Sequence, residues 1–218
     1  MCGRFTDQHS WDEIKSLYDL TAQYFASNFP PRYNIAPTQT SFVVREMDGK
    51  RTLAELRWGL LPKWAKLPSD GTRMINARAE TVAEKPAYRA AFKLRPCLVV
   101  ADGFYEWKKI KGGKQPFYIT TKNRAPFAFA GLWEPKSLAE QVTFTILTCQ
   151  PNELCATVHD RMPVMLPPEN FTAWLSTPEE RTKLLKPFPA DQMELWPVDK
   201  AVGSTKNIRP ELIEPIET

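Results

Sequence analysis

Residues 96–121 read "PCLVVADGFYEWKKIKGGKQPFYITT". Apolar and aromatic runs are broken at Gly112-Gly113, so the stretch reads as strand, turn, strand. Working outward, "TSFVVREMDGKRTLAELRWGL" (40–60) reads as two strands joined at "MDGK", where Asp-Gly is a strong hairpin signal. "PFAFAGLWE" (126–134) and "VTFTILTCQ" (142–150) follow as further strands. Upstream, "SWDEIKSLYDLTAQYF" (10–25) predicts a helix, with Ser10 as N-cap and Ile14, Leu17, Tyr18 and Leu20 as its apolar stripe. "FPPRYNIAPTQ" (29–39) predicts an extended loop set by proline. "PPENFTAWLS" (167–176) and "PEERTKLLK" (178–186) predict short helices that begin near Pro. Strands fill the middle of the chain, helices flank it, and βαβ alternation is absent. The expectation is α+β: one domain with a central, largely antiparallel, barrel-like sheet flanked by short helices.

The chain has 218 residues, 43% hydrophobic and 25% charged, enough to bury one sizeable core. No apolar run is long enough to span a bilayer, and the N-terminal stretch lacks the apolar segment of a signal peptide. A cytoplasmic protein is expected, nuclear in a eukaryote, with no membrane partner. Its four cysteines would then be thiols, ligands or nucleophiles rather than disulfides. The net charge of +4 is unevenly spread: from Arg57 to Arg124, fifteen Lys and Arg stand against five Asp and Glu. That density suits a polyanion-binding surface, or a solvated surface whose charges scatter in space.

Four segments carry polar residues among apolar ones: "MINARAET", "ADGFYEWKK", "LTCQPN" and "VHDRMPVML". Asn76 suits a turn cap or a site. Glu106 suits the solvent face of an alternating strand or an acid/base role. His159, one of two histidines, suits a structural or a catalytic role. Cys149, Cys155 and His159 have C-x5-C-x3-H spacing without the paired knuckles of zinc sites, so no metal is expected. Phosphate-binding glycine loops and esterase elbows are absent, and no cofactor is expected.

The chain opens "MCGRF". Removing Met1 would leave an amine and a thiol on Cys2, with ordinary pKa values of about 7.7–8.0 and about 8.5. Such a 1,2-aminothiol condenses with an aldehyde to an imine, which the thiol closes into a thiazolidine. An internal cysteine has only an amide nitrogen and cannot do this. The ring closure is intramolecular, where effective molarities reach roughly 10⁵ M or more. A carboxylate or imidazole must move the protons, and an amide must hold the ring. Glu106, His159 and Asn76 are the right types.

The set "MCGRF", "RYNIAPTQ", "RWGLLPKWA", "MINARAET", "ADGFYEWKK" and "VHDRMPVML" resembles the SOS-response-associated peptidase (SRAP) family, the abasic-site processing proteins. The motifs run from Cys2 to about Asn207, implying one domain over 2–218 with a peripheral, solvated tail from about 208. The resemblance implies a monomer that binds single-stranded DNA bearing an abasic site, also at single-strand/duplex junctions, and crosslinks it through Cys2. It implies that Asn76 positions the amine and ring, that Glu106 shuttles protons and that His159 assists. It implies that Arg4, Arg78 and Arg161 clamp phosphates, and that Pro37, Trp64 and Ile75 wedge the base stack. Many members have two adjacent Trp where this chain has Trp64 alone, and often Asn where it has Ser204. A thiol autopeptidase or N-terminal-nucleophile hydrolase, in which Cys2 attacks a peptide bond, and a non-covalent single-strand-binding module remain as rival readings.

Overall fold

The computed structural model describes residues 2–20, 29–136 and 141–216. In chain order the described strands are β1 (Phe5–Asp7), β2 (Arg32–Ile35), β3 (Thr40–Met47), β4 (Lys50–Trp58), β5 (Asn76–Arg78), β6 (Pro96–Ala101) and β7 (Gly103–Ile110). They continue with β8 (Gly113–Thr121), β9 (Phe127–Glu134), β10 (Thr143–Cys149), β11 (Met162–Pro163), β12 (Met165–Leu166) and β13 (Met193–Pro197). The helices are α1 (Trp11–Leu17), α2 (Arg89–Leu94), α3 (Glu153–Ala156), α4 (Phe171–Leu175) and α5 (Pro178–Lys183).

The fold is α+β, as expected, but it has two sheets rather than one. The smaller runs β13-β8-β7-β1-β2; the larger runs β11-β10-β4-β3-β6-β9-β12, with β5 on β10. Strand β9 also pairs with β10, so the pairing path of the larger sheet closes on itself. Pairing is antiparallel except where β10 meets β4 and β5. The break between sheets falls at Asp102: β6 ends in the larger sheet and β7 begins in the smaller. The "MDGK" turn forms as predicted, with Asp48 and Gly49 both at positive φ. The second hairpin turns one residue early, at Lys111-Gly112, because Gly113 takes a place in the ladder opposite Ile110.

Helix α1 starts where expected, with a reciprocal Ser10–Glu13 capping box. Residues 21–25 of the predicted helix lie outside the described residues. The "FPPRYNIAPTQ" loop contains a strand: β2 pairs with β1, Phe5 opposite Ile35. Among the described residues no helix is long and apolar enough to cross a membrane.

One core fills the space between the sheets. Phe5 and Phe104 of the smaller sheet meet Phe129 of the larger at ring-centroid distances of 5.8 and 5.9 Å, and Phe5 meets Trp58 at 5.1 Å. Each such buried ring contributes on the order of 1.5–3 kcal/mol. A second, small core lies on the outer face of the smaller sheet, where Tyr105 and Tyr118 pack with Val198, Val202 and Leu212. The tail from 208 is therefore not wholly solvated: Leu212 is buried, and Trp196 Nε1 donates to Ile213 O at 2.7 Å.

Candidate active site at the seam of the two sheets

Strand β1 places Cys2. The ladder between β1 and β7 continues outward, with Tyr105 N donating to Arg4 O at 3.0 Å, so Cys2 runs beside the part of β7 that carries Glu106. Cys2 is fully buried. Burial pushes its thiol well up, and the Glu106 carboxylate adds to the shift. The thiol is thus protonated at neutral pH, and its Sγ lies 4.0 Å from Arg4 O.

Strand β5 places Asn76. Parallel pairing sets Asn76 opposite Ile146 of β10. Its Nδ2 donates to Cys2 O at 2.8 Å. A carbonyl only accepts, so this bond fixes which end of the amide is nitrogen. Oδ1 must point elsewhere; it is buried and has no hydrogen-bond partner among the described residues. A buried acceptor left without a donor costs about 1–3 kcal/mol. Asn76 is therefore more than a turn cap.

Glu106 is not on the solvent face. Alternation along β7 sends Tyr105 to the small outer core and Glu106 to the opposite side, where it is 3% exposed. Burial raises its pKa above the ordinary carboxylate range, while nearby positive charge, including His159, pulls the other way.

His159 arrives from the loop after α3. Asn152 caps that helix through Cys155 N, and His159 N donates to Cys155 O at 2.9 Å. Its Nε2 stands 3.9 Å from Glu106 Oε2. At Nδ1 two partners compete: Arg161 N–H at 3.0 Å and Asp160 Oδ1 at 2.9 Å. A bare Nδ1 would accept from Arg161, and an Nδ1–H would donate to Asp160, so the tautomer follows whichever of the two bonds the ring makes. The imidazole thus lies between two carboxylates, Asp160 at Nδ1 and Glu106 beyond Nε2.

Cys2, Asn76, Glu106 and His159 are brought together from both sheets. Cys155, named above for its spacing to His159 but given no role in the site, lies close enough to Glu106 and Cys149 for both to raise its thiol; burial is the larger cause, and the result is about 12. Cys149 is likewise pushed up to about 12 by burial. Among the described residues no group of three His, Cys, Asp or Glu is placed to hold a metal.

The proposed phosphate clamps differ among themselves. Arg78 is exposed at the end of β5. Arg161 is buried, bonded to both carboxylate oxygens of Glu80 at 2.6 and 2.9 Å and to Thr148 O at 2.5 Å. Arg4 is half-buried and donates to Asn34 Oδ1 at 2.8 Å and to the carbonyls of Val202 and Gly203. Arg161 thus ties the segment that carries His159 to Glu80 and to β10, and Arg4 ties β1 to β2 and to residues 202–203.

Pro37 and Ile75 flank the end of β4. Thr38 N, next to Pro37, donates to Trp58 O, and Trp58 Nε1 donates to Ile75 O at 2.8 Å. Pro37 and Ile75 are half-buried. Trp64 is 58% exposed, so it is not a core residue. It shares a surface cavity of about 380 Å³ with Met74. The loop that carries it closes where Gly59 meets Gly71: a Cβ on Gly59 would lie 2.6 Å from Gly71 O.

The sequence profile of the SOS response associated peptidase (SRAP) family matches residues 1–205. The chain is 42% identical to the abasic site processing protein YoqW of Bacillus subtilis, over 98% of this chain and 99% of that one. It is 30% identical to YedK of Escherichia coli, also named an abasic site processing protein, over 99% and 100% of the two chains. A crystal structure of a protein from Bacteroides thetaiotaomicron shares the fold, with a TM-score of 0.86 at 24% identity over 99% of this chain and all of that one. With its profile matched nearly end to end, this chain belongs to the SRAP family.

Proposed function

We propose that the protein processes abasic sites in DNA by forming a covalent thiazolidine through Cys2, once Met1 has been removed. The relatives' names supply the lesion; the geometry around Cys2 supplies the chemistry. The observation that carries the reading is Asn76, which grips the Cys2 carbonyl with Nδ2 and leaves Oδ1 buried without a donor. An N–H on the Cys2 nitrogen, as amine or thiazolidine, is the donor that this acceptor requires.

The Cys2 amine adds to C1′ of the ring-opened deoxyribose. The carbinolamine loses water to give an imine. The thiol adds across the C=N bond and its proton ends on nitrogen, so aldehyde and aminothiol become thiazolidine plus one water. Glu106, whose pKa burial raises, gives a proton to the departing hydroxyl and then accepts one from the thiol. His159 Nε2, 3.9 Å away, exchanges protons with it. Trp64, Pro37 and Ile75 form an apolar wedge that interrupts base stacking beside the lesion, and Arg78 takes a flanking phosphate. Arg4 and Arg161 take phosphate by releasing part of their present contacts.

The test is a denaturing gel of processed protein incubated with a single strand carrying one abasic site. A shifted band that survives heating without reduction, and is lost in Cys2→Ala, is the expected result. Absence of a stable band from wild type would overturn the reading. Turnover of an added peptide would favour the peptidase alternative. Tight binding without any adduct would favour a binding module.

A further inference from the structure

The hairpin of β7 and β8 carries Lys108, Lys109, Lys111 and Lys114 within seven residues, and every residue from Lys108 to Lys114 is exposed. From Trp107 to Trp133 the sequence contains no Asp or Glu. None of the four lysines forms an ion pair among the described residues. Lys109 and Lys114 stand directly opposite each other in the ladder. Like charges facing across an antiparallel pair are destabilising, and among the described residues no ion pair offsets that cost. A solvated surface would not need that pairing; a polyanion would relieve it.

The hairpin is also tied to the site. Lys108 lies on the same face of β7 as Glu106, two residues along. At about 3.3 Å per residue, Lys109 to Lys111 sit roughly 10–17 Å along the strand from Glu106. A duplex flank rises about 3.4 Å per nucleotide along its axis, so on such a flank this reach corresponds to about three to five nucleotides. The turn is two residues long and the ladder is paired to its end, which holds the cations on a rigid arm.

We propose that this hairpin is a second nucleic-acid contact: an arm that binds the phosphate backbone about three to five nucleotides from the reacting sugar. The inference rests on the abasic-site reading for its partner. It adds that affinity depends on DNA well beyond the lesion, through contacts that read charge and not sequence.

The experiment compares wild type, K108Q/K109Q/K111Q/K114Q and the charge-keeping K108R/K109R/K111R/K114R, all processed and full length. Anisotropy titrations over a salt series use abasic strands of about 5 and about 25 nucleotides, the longer one with and without a duplex flank. The Gln variant is expected to lose about tenfold in affinity for the long DNAs, with its salt slope reduced by about 2, and the Arg variant to restore both. Binding of the short strand should change less than about twofold. Unchanged affinity and slope on long DNA would overturn the arm. So would an equal loss on the short strand, or loss of binding to anionic phospholipid vesicles with DNA binding intact. Adduct formation on the gel is scored separately. If no protein forms an adduct while the Gln variant still loses long-DNA affinity, the crosslinking reading fails and the arm stands. A normal adduct with unchanged affinity sinks the arm alone.

Discussion

Glu106 is the residue whose surroundings most constrain the proposed chemistry. A carboxyl on a solvent-facing strand position would be ionised at neutral pH and could not give up a proton. Buried at 3% exposure, it titrates above its usual range. Adduct formation should climb as pH rises toward the α-amine's ordinary value of about 7.7–8.0, because the amine must be unprotonated. At the acid side the profile should bend through the elevated Glu106 titration. Glu106→Gln is expected to slow formation and reversal by about 100-fold and to remove that bend. Quenched-gel rate measurements across pH would check it; a wild-type profile in the variant would rule Glu106 out as the shuttle. The sequence named Glu106 as a candidate but left its direction open. Burial on the inner face follows from where β7 sits between two cores, which is tertiary information that local alternation does not contain.

Elements, not single residues, aim the apolar surface. The loop from Pro62 to Arg73 is anchored where two backbones touch at Gly59 and Gly71, and Gly59 has φ of 126°. A methyl group at Gly59 meets both the carbonyl of Gly71 and a backbone conformation that side chains avoid. Gly59→Ala should cost about 2–3 kcal/mol and weaken abasic-DNA binding by releasing Trp64. Chemical denaturation and anisotropy would report the two effects. Stability equal to wild type would show that the loop closes without this contact. Here the sequence was partly legible: an Asp-Gly and a Gly-Gly signal placed the two hairpins. It did not reveal β2, because "RYNI" is too short and too crowded by proline to show alternation before β1 is there to pair with. Nor did it reveal the Glu80 and Thr148 partners of Arg161, which arrive from segments 81 and 13 residues away.

At the scale of the molecule, the seam between the sheets is also crossed by a titrating network. His9 Nδ1 lies 3.0 Å from Asp7 Oδ1, beside Asp102 and Glu13. Burial opposes its charge, but the bond to Asp7 and the surrounding carboxylates outweigh it, so its pKa is raised. A raised pKa means that this stability is complete below about 6.5, the unfolded value, and is lost as pH climbs through the folded one. Thermal unfolding midpoints should therefore fall between about pH 6 and 8 in wild type, and His9→Gln should flatten that fall. An unchanged slope would assign the titration elsewhere. The fold class and most strands could be read from the chain because apolar patterning is local. The meeting of residues 2, 76, 106 and 159 could not, since no periodicity joins positions so far apart. That separation carries a consequence for the lesion. The proposed bond belongs to one residue near the chain's start, whereas the groups that would undo it come from three other stretches and both sheets. A crosslinked molecule that loses its fold keeps its cargo and forfeits the means of letting go. Release would be a privilege of the native state, and a denatured adduct would have to be cleared by digestion.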